Sequence, residues 1–189
     1  LTPLAIIGAM TNSNGGLYAA LAGQYGDSTD VGAISVLSLN DGPFFTMVAF
    51  GVTGLANIPL VAFVAVLIPI VIGFILGNLD EEVREFLAKG TAVLIPFFAF
   101  PLGAGLDFKT IIQAGLPGLL LGVLVTLLTG LGGYYATGLF GEKKAVGAAI
   151  GTTAGNAVGT PAALALADPK LQSLVASSTA QIAAAVIVT

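Results

Sequence analysis

Residues 8–22 read Gly8-Ala9-Met10-Thr11-Asn12-Ser13-Asn14-Gly15-Gly16-Leu17-Tyr18-Ala19-Ala20-Leu21-Ala22, an apolar stretch whose centre is polar and glycine-rich. Residues 151–165 have the same character: Gly151-Thr152-Thr153-Ala154-Gly155-Asn156-Ala157-Val158-Gly159-Thr160-Pro161-Ala162-Ala163-Leu164-Ala165. Neither reads as a plain lipid-facing helix. An unpaired backbone amide in hydrocarbon costs several kcal/mol, so such breaks persist only where protein or a watery cavity surrounds them. At an offset of 143, Gly8 matches Gly151, Gly16 matches Gly159, Ser13 matches Asn156, and Ala19 to Ala22 recurs as Ala162 to Ala165. Ser35 and Ser38 fall opposite Ser178 and Gln181 at that offset. Gly and Ala are abundant here, so chance is the competing account of the match.

The stretches around these breaks belong to a membrane chain. Hydrophobic residues make up 56% of it and charged residues 8%, with a mean hydropathy of +1.00; soluble domains carry roughly 25% charged residues. Ile58 to Gly77 holds no charge and has about the 20 residues that a ~30 Å hydrocarbon core demands. Charges and turn residues divide the chain into about seven spans, near 4–22, 31–54, 58–77, 91–107, 115–139, 145–167 and 171–189. The polar run Asp80 to Phe86 reads as a surface turn or short amphipathic helix with a solvated face. Pro43 is expected to bend or break the second span, and Pro96 and Pro101 the fourth.

Spans alternate sides, so the loops after the first, third and fifth share one face and hold Arg84, Lys89, Lys143 and Lys144, against Lys109 and Lys170 on the other. The positive-inside rule makes the first face cytoplasmic. The two broken spans are five apart and cross in opposite directions, so the repeat is inverted, a transporter signature. The expected fold is an all-α polytopic membrane protein of inverted five-span repeats with two crossing broken helices. Residues 1–54 are then the last two spans of the first repeat, and residues 58–189 the whole second repeat. The chain opens on Leu1 within an apolar segment and is expected to be a fragment, about seven spans of ten.

Half-helix N-termini carry about half a positive charge and unpaired N–H groups, which suit a carboxylate, while amides and hydroxyls can bond sugar hydroxyls. The candidate substrate-binding residues are Asn12, Ser13, Asn14, Thr152, Thr153 and Asn156; the competing reading has them only capping broken helices. Inverted crossing is expected to bring Ser13 towards Asn156. Asp41, ten residues into the second span, is the one acid buried within a span, and an intramembrane carboxylate is by default functional. With Asn40 and Gln181 it forms the proton-coupling candidate set, the competing reading of Asp41 being a cap on a Pro-broken helix. Ser35, Ser38 and Asp41 form one polar stripe, and Ser173, Ser177 and Gln181 another at spacing four. Asp107 beside Lys109 reads as an interfacial ion pair or cap. Gly147, Gly151, Gly155 and Gly159 recur every four residues and read as packing glycines along one helix face.

With neither Cys nor His, the sequence offers no thiol chemistry and lacks the commonest metal ligands, and no cofactor or metal is expected. An enzyme reading lacks nucleophile–base pairs built on His or Cys, and no second buried acid pairs with Asp41. Nucleic acid binding is unsupported: the net charge is −4, and more than half of the ten acidic residues sit in two short loops. The residues alone point to a coupled carrier for a small polar anion, with a channel or structural membrane protein as the weaker alternative.

The chain resembles the bacterial 2-keto-3-deoxygluconate permease family in Met10-Thr11-Asn12 with Asn14-Gly15-Gly16-Leu17-Tyr18-Ala19, in Gly42-Pro43, in Gly77-Asn78-Leu79-Asp80, in Arg84-Glu85-Phe86 and in Leu94-Ile95-Pro96-Phe97-Phe98-Ala99-Phe100. The resemblance implies a proton symporter that imports this sugar acid across the inner membrane, and kinship with the bile-acid symporter and sodium/proton antiporter fold, whose fourth and ninth of ten spans are broken and cross. Asn40-Asp41 then occupies the ion site of some antiporters. The implied partners are the sugar acid and the bilayer, and a homodimer is compatible with them. H+ is the expected coupling ion, since a proton carried with a monoanion moves no net charge, and Na+ is the alternative.

Overall fold

The computed structural model describes residues 1–37, 39, 40, 42–104, 109, 112 and 114–189. Ser38, Asp41 and Asp107 lie outside the described residues. The rest is an all-α polytopic membrane fold, with no strand among the described residues. Its helices are α1 (Pro3–Met10), α2 (Gly15–Tyr25), α3 (Ser28–Gly32), α4 (Ile34–Leu37), α5 (Phe44–Val52), α6 (Leu60–Leu79), α7 (Glu81–Ala104) and α8 (Gly115–Val125). A π-helical turn (Thr126–Gly130) leads into α9 (Leu131–Leu139), followed by α10 (Lys144–Ala148), α11 (Thr160–Ala167) and α12 (Val175–Val188), with 3-10 turns at Gly155–Gly159 and Pro169–Leu174. Among the described residues, three continuous helical stretches are long and apolar enough to cross a bilayer: Leu60–Leu79, Gly115–Leu139 and Pro169–Val188.

The first and sixth spans are broken where the polar residues fall. The second departs from one helix: it is divided among α3, α4 and α5, because Gly42 takes a φ of 155° that side-chain-bearing residues rarely adopt and Pro43 supplies no N–H. Asp80 to Phe86 is no separate element. Asp80 accepts from the N–H groups of Glu82 and Val83 at 2.8 and 3.1 Å, and Glu81 and Glu82 suit the positive end of the helix, so the charged run forms the first turns of α7. Pro96 and Pro101 do not end that helix, which continues to Ala104.

The glycines spaced by four also differ from expectation. Residues 151–154 are not helical, so no single helix face carries all four. A Cβ on Gly147 would strike the Gly133 carbonyl and Thr137, and one on Gly151 would stand 2.5 Å from the Gly130 Cα, whereas Gly155 is exposed with nothing within 4 Å. Gly147 and Gly151 therefore let α10 and the segment after it lie directly on the π turn and α9. Gly118 and Gly122 do the same for α8 against Ala184 and Val188 of α12. The core joining these helices is correspondingly rich in small residues: Ala5, Ala9, Ala157, Ala183 and Ala185 pack with Leu121, Val125 and Ile182.

Contacts between loops support the alternation of sides. Lys143, in the loop after the fifth span, pairs with Asp27 at 2.8 Å and Asp30 at 3.3 Å in the loop after the first. Asp168, after the sixth span, accepts the Asn57 N–H at 2.9 Å from the loop after the second. Asp168 is only 7% exposed, and the N–H groups of Asn57 and then Lys170 hold its carboxyl below the usual carboxylate range. A depressed pKa means that its stabilising effect is complete above the unfolded value of about 3.9 and is lost as pH falls through the lower folded value. Melting of the full-length protein between pH 5 and 3 is expected to show a shallower acid-dependent loss in Asp168→Asn than in wild type; parallel curves would contradict this.

Candidate functional site

A helix that stops leaves its last carbonyls without N–H partners, and one that starts leaves its first N–H groups without acceptors. At the break after α1 the carbonyls are met one by one. The Ile7 carbonyl keeps the Thr11 N–H at 3.0 Å and also accepts from Thr11 Oγ1 at 2.7 Å, Asn12 Nδ2 donates to the Gly8 carbonyl at 2.7 Å, and Thr153 Oγ1 reaches that of Ala9 at 3.5 Å from the other broken span. The Ala154 N–H donates to the Asn12 carbonyl at 2.7 Å, and the Asn14 N–H donates to Thr152 Oγ1 at 3.0 Å. Asn12 thus pairs with Ala154 and Asn14 with Thr152, so advancing two residues on one segment retreats two on the other. The breaks cross antiparallel. The Thr153 N–H, freed by its own break, donates to Thr189 Oγ1 at 2.9 Å.

This register fixes what each predicted residue does. Ser13 lies level with Thr153 rather than with Asn156. Asn12, Ser13, Thr152 and Thr153 are all buried, and the amide of Asn12 is engaged with Gly8, Thr46 and Gly42. Asn14 and Asn156 are half-buried, at opposite ends of the crossing. Asn14 caps α2 by accepting the Leu17 N–H at 3.0 Å, while Asn156 lies in the 3-10 turn that leads into α11. Each amide therefore stands at the start of a half-helix, and the two half-helices run to opposite faces.

Of the coupling candidates, Asn40 reaches the break, donating from Nδ2 to Ser13 Oγ at 2.6 Å. Gln181 is held elsewhere: its Oε1 accepts the Thr2 N–H at 3.1 Å, at the far end of α1, a helix of 8 residues and so roughly 12 Å long. Ser173 drops out of the expected stripe because it lies in the 3-10 turn that precedes α12, while Ser177 and Gln181 stay one helical turn apart within α12. Ser178 and Gln181 are buried, and Ser173 and Ser177 are exposed. Sequence reasoning missed Thr46, which is fully buried and lies 2.6 Å from Thr11 Oγ1. Its only signal is a lone hydroxyl in an apolar run three residues after Pro43.

A cavity of about 350 Å³ lies between α2 to α4 and α9 to α10. Tyr18, one turn past Asn14, and Ile150, next to Gly151, line it, and Lys143 and Asp30 are at its rim. It thus borders both broken spans on the face that bears the Lys143 ion pairs. No group of His, Cys, Asp and Glu able to hold a metal occurs among the described residues.

A family model described as 2-keto-3-deoxygluconate permease matches residues 1–189. The chain is 58% identical over 189 residues to 2-keto-3-deoxygluconate permease 1 of Salmonella typhimurium, covering 100% of this chain and 60% of that relative. It is 46% identical over 190 residues to the 2-keto-3-deoxygluconate permease of Xanthomonas oryzae pv. oryzae, covering 100% and 60%, and 43% identical over 190 residues to that of Escherichia coli O139:H28, covering 100% and 58%. The chain therefore spans about 60% of the length of the curated relatives it matches. No solved structure matches it.

Proposed function

This chain belongs to the 2-keto-3-deoxygluconate permease family, and from that membership we propose that it is the crossing portion of a proton-coupled symporter importing 2-keto-3-deoxygluconate, or a similar small anionic sugar acid, across the inner membrane. The observation that carries this reading is the antiparallel pairing of the two breaks, Ala154 N–H to Asn12 carbonyl, because it sets two half-helix starts around one buried polar crossing. Asn14 and Asn156 are the half-buried amides we assign to substrate, Asn156 with its Oδ1 turned inside, and the N–H groups at the start of α2 suit the substrate carboxylate. Asn12, Thr152 and Thr153 shape the crossing. In the same reading residues 1–54 are the last two spans of the first inverted repeat, and residues 58–189 are the second.

Coupling is assigned to Asp41. The residues on either side of it are tied to the first break, Asn40 to Ser13 and the Gly42 N–H to Asn12 Oδ1 at 2.9 Å. A proton loaded with a monoanion avoids carrying a bare charge through the low-dielectric core. The test is uptake of labelled 2-keto-3-deoxygluconate by the full-length protein, with glucuronate and a bile acid as competitors. Accumulation is expected to collapse with a protonophore and to survive removal of sodium; the reverse would make the carrier sodium-coupled, and equilibration without accumulation would make it a channel. Asp41→Asn is expected to abolish uphill accumulation while leaving counterflow exchange, since exchange moves the loaded carrier without releasing its proton. Accumulation by the variant in response to a pH gradient would remove Asp41 from this role.

A further inference from the structure

Thr46 is fully buried, in the first turn of α5, and its hydroxyl faces the first break from outside both broken spans. Its Oγ1 is 2.6 Å from Thr11 Oγ1 and accepts from Asn12 Nδ2 at 3.3 Å. The preceding segment reinforces this tie, through the Gly42 N–H on Asn12 Oδ1 and Asn40 Nδ2 on Ser13 Oγ. Three consecutive residues of the break, Thr11, Asn12 and Ser13, are therefore held by Asn40, Gly42 and Thr46. Thr11 and Asn12 also cap the end of α1 through the carbonyls of Ile7 and Gly8, at 2.7 Å each, and these bonds do not involve Thr46. Replacing the Thr46 hydroxyl by a methyl consequently leaves the end of α1 capped, and unties only the break from α5.

We propose that Thr46 is a positioning residue: it sets the orientation of the first break, through Thr11 and Asn12, and thereby the affinity of the half-helix start at Asn14 for the sugar acid. This rests on the transport reading above. Asn14 follows Asn12 by two residues with only Ser13 between them, so a shift of Asn12 is passed directly to the cap of α2. A group that orients the binding backbone changes how well substrate is held and leaves the translocation step, and hence the maximal rate, largely alone.

The test uses full-length wild type, Thr46→Val and Thr46→Ser. Thr46→Val is nearly isosteric but has no hydroxyl; Thr46→Ser keeps the hydroxyl and loses a methyl. Two measurements are made: the KM and maximal rate of 2-keto-3-deoxygluconate uptake, and amide hydrogen exchange of peptides covering residues 8–14 and 60–79 in detergent. Thr46→Val is expected to raise KM about tenfold with the maximal rate within twofold of wild type, and to speed exchange in residues 8–14 about tenfold while sparing residues 60–79, the effect of one net hydrogen bond. Thr46→Ser is expected to restore both. Unchanged exchange in Thr46→Val, or a Thr46→Ser variant as impaired as Thr46→Val, overturns the positioning role. Altered exchange with an unchanged KM overturns its link to substrate. If wild type takes up no sugar acid the transport reading fails, and exchange alone then decides whether Thr46 orients the break.

Discussion

Asn12→Leu in the full-length protein is expected to destroy uptake and to reduce the yield of folded carrier severalfold. Leucine keeps the branched heavy-atom skeleton of asparagine but replaces both polar atoms by bulkier methyl groups, so it removes every hydrogen bond of the amide. In wild type that amide meets the Gly8 carbonyl, Thr46 and the Gly42 N–H, with no part of Asn12 exposed. Leucine leaves the Gly8 carbonyl and the Gly42 N–H without their side-chain partner, and each buried orphan costs about 1–3 kcal/mol. Together that approaches the whole net stability of many domains, about 5–15 kcal/mol. Asn12→Asp keeps an acceptor for Gly42 but loses the donor to Gly8, and is expected to fall between the two. Thermal unfolding in detergent and size-exclusion profiles measure the effect. A melting temperature within a degree of wild type, with normal uptake, would show that Asn12 does not hold the crossing.

Gly151→Ala is expected to be nearly as damaging, although it adds one methyl group. That methyl would stand 2.5 Å from the Gly130 Cα, 3.0 Å from the Gly130 nitrogen and 3.1 Å from the Ala148 carbonyl oxygen. These are backbone atoms that cannot rotate away, so the segment and the π turn must separate, and overpacking of this kind costs typically about 1–3 kcal/mol. Gly155→Ala, four residues later, meets nothing within 4 Å and is expected to change stability by less than about 0.5 kcal/mol. The pair makes an internal control. Equal melting temperatures for the two variants would mean that the close approach at Gly151 does not bear on stability.

The same pair shows how much could be read from the residues. A spacing of four puts residues on one face only if the backbone is helical, and the sequence carries no marker of where Gly151 to Ala154 leaves the helix. The breaks themselves were legible, because Thr-Asn-Ser-Asn-Gly-Gly and Thr-Thr-Ala-Gly-Asn have no stable place in lipid. Long apolar runs such as Leu60–Leu79 were legible for the complementary reason. The division of the second span was half visible in Gly42-Pro43, but the separation of α3 from α4 was not. In the last span the expected stripe lost Ser173 because it lies in a 3-10 turn, whose tighter winding takes it off the face shared by Ser177 and Gln181. Which amides stay inside and which remain open was not readable at all: Asn12 and Asn14 are two residues apart, and only the pairing with Ala154 and Thr152 separates a buried brace from a half-exposed cap.

That pairing also sets the order of events during synthesis. The partners Thr153 and Ala9 are 144 residues apart, and Asn14 and Thr152 are 138. At about 5–20 residues per second the ribosome takes roughly 7–30 s to deliver the second break after the first. Throughout that interval the Ala9 carbonyl and the Asn14 N–H have no partner from the sixth span, so the first break must stay hydrated or in the insertion machinery rather than pass into lipid. The break at residues 11–14 is completed only by a segment made 138 residues later.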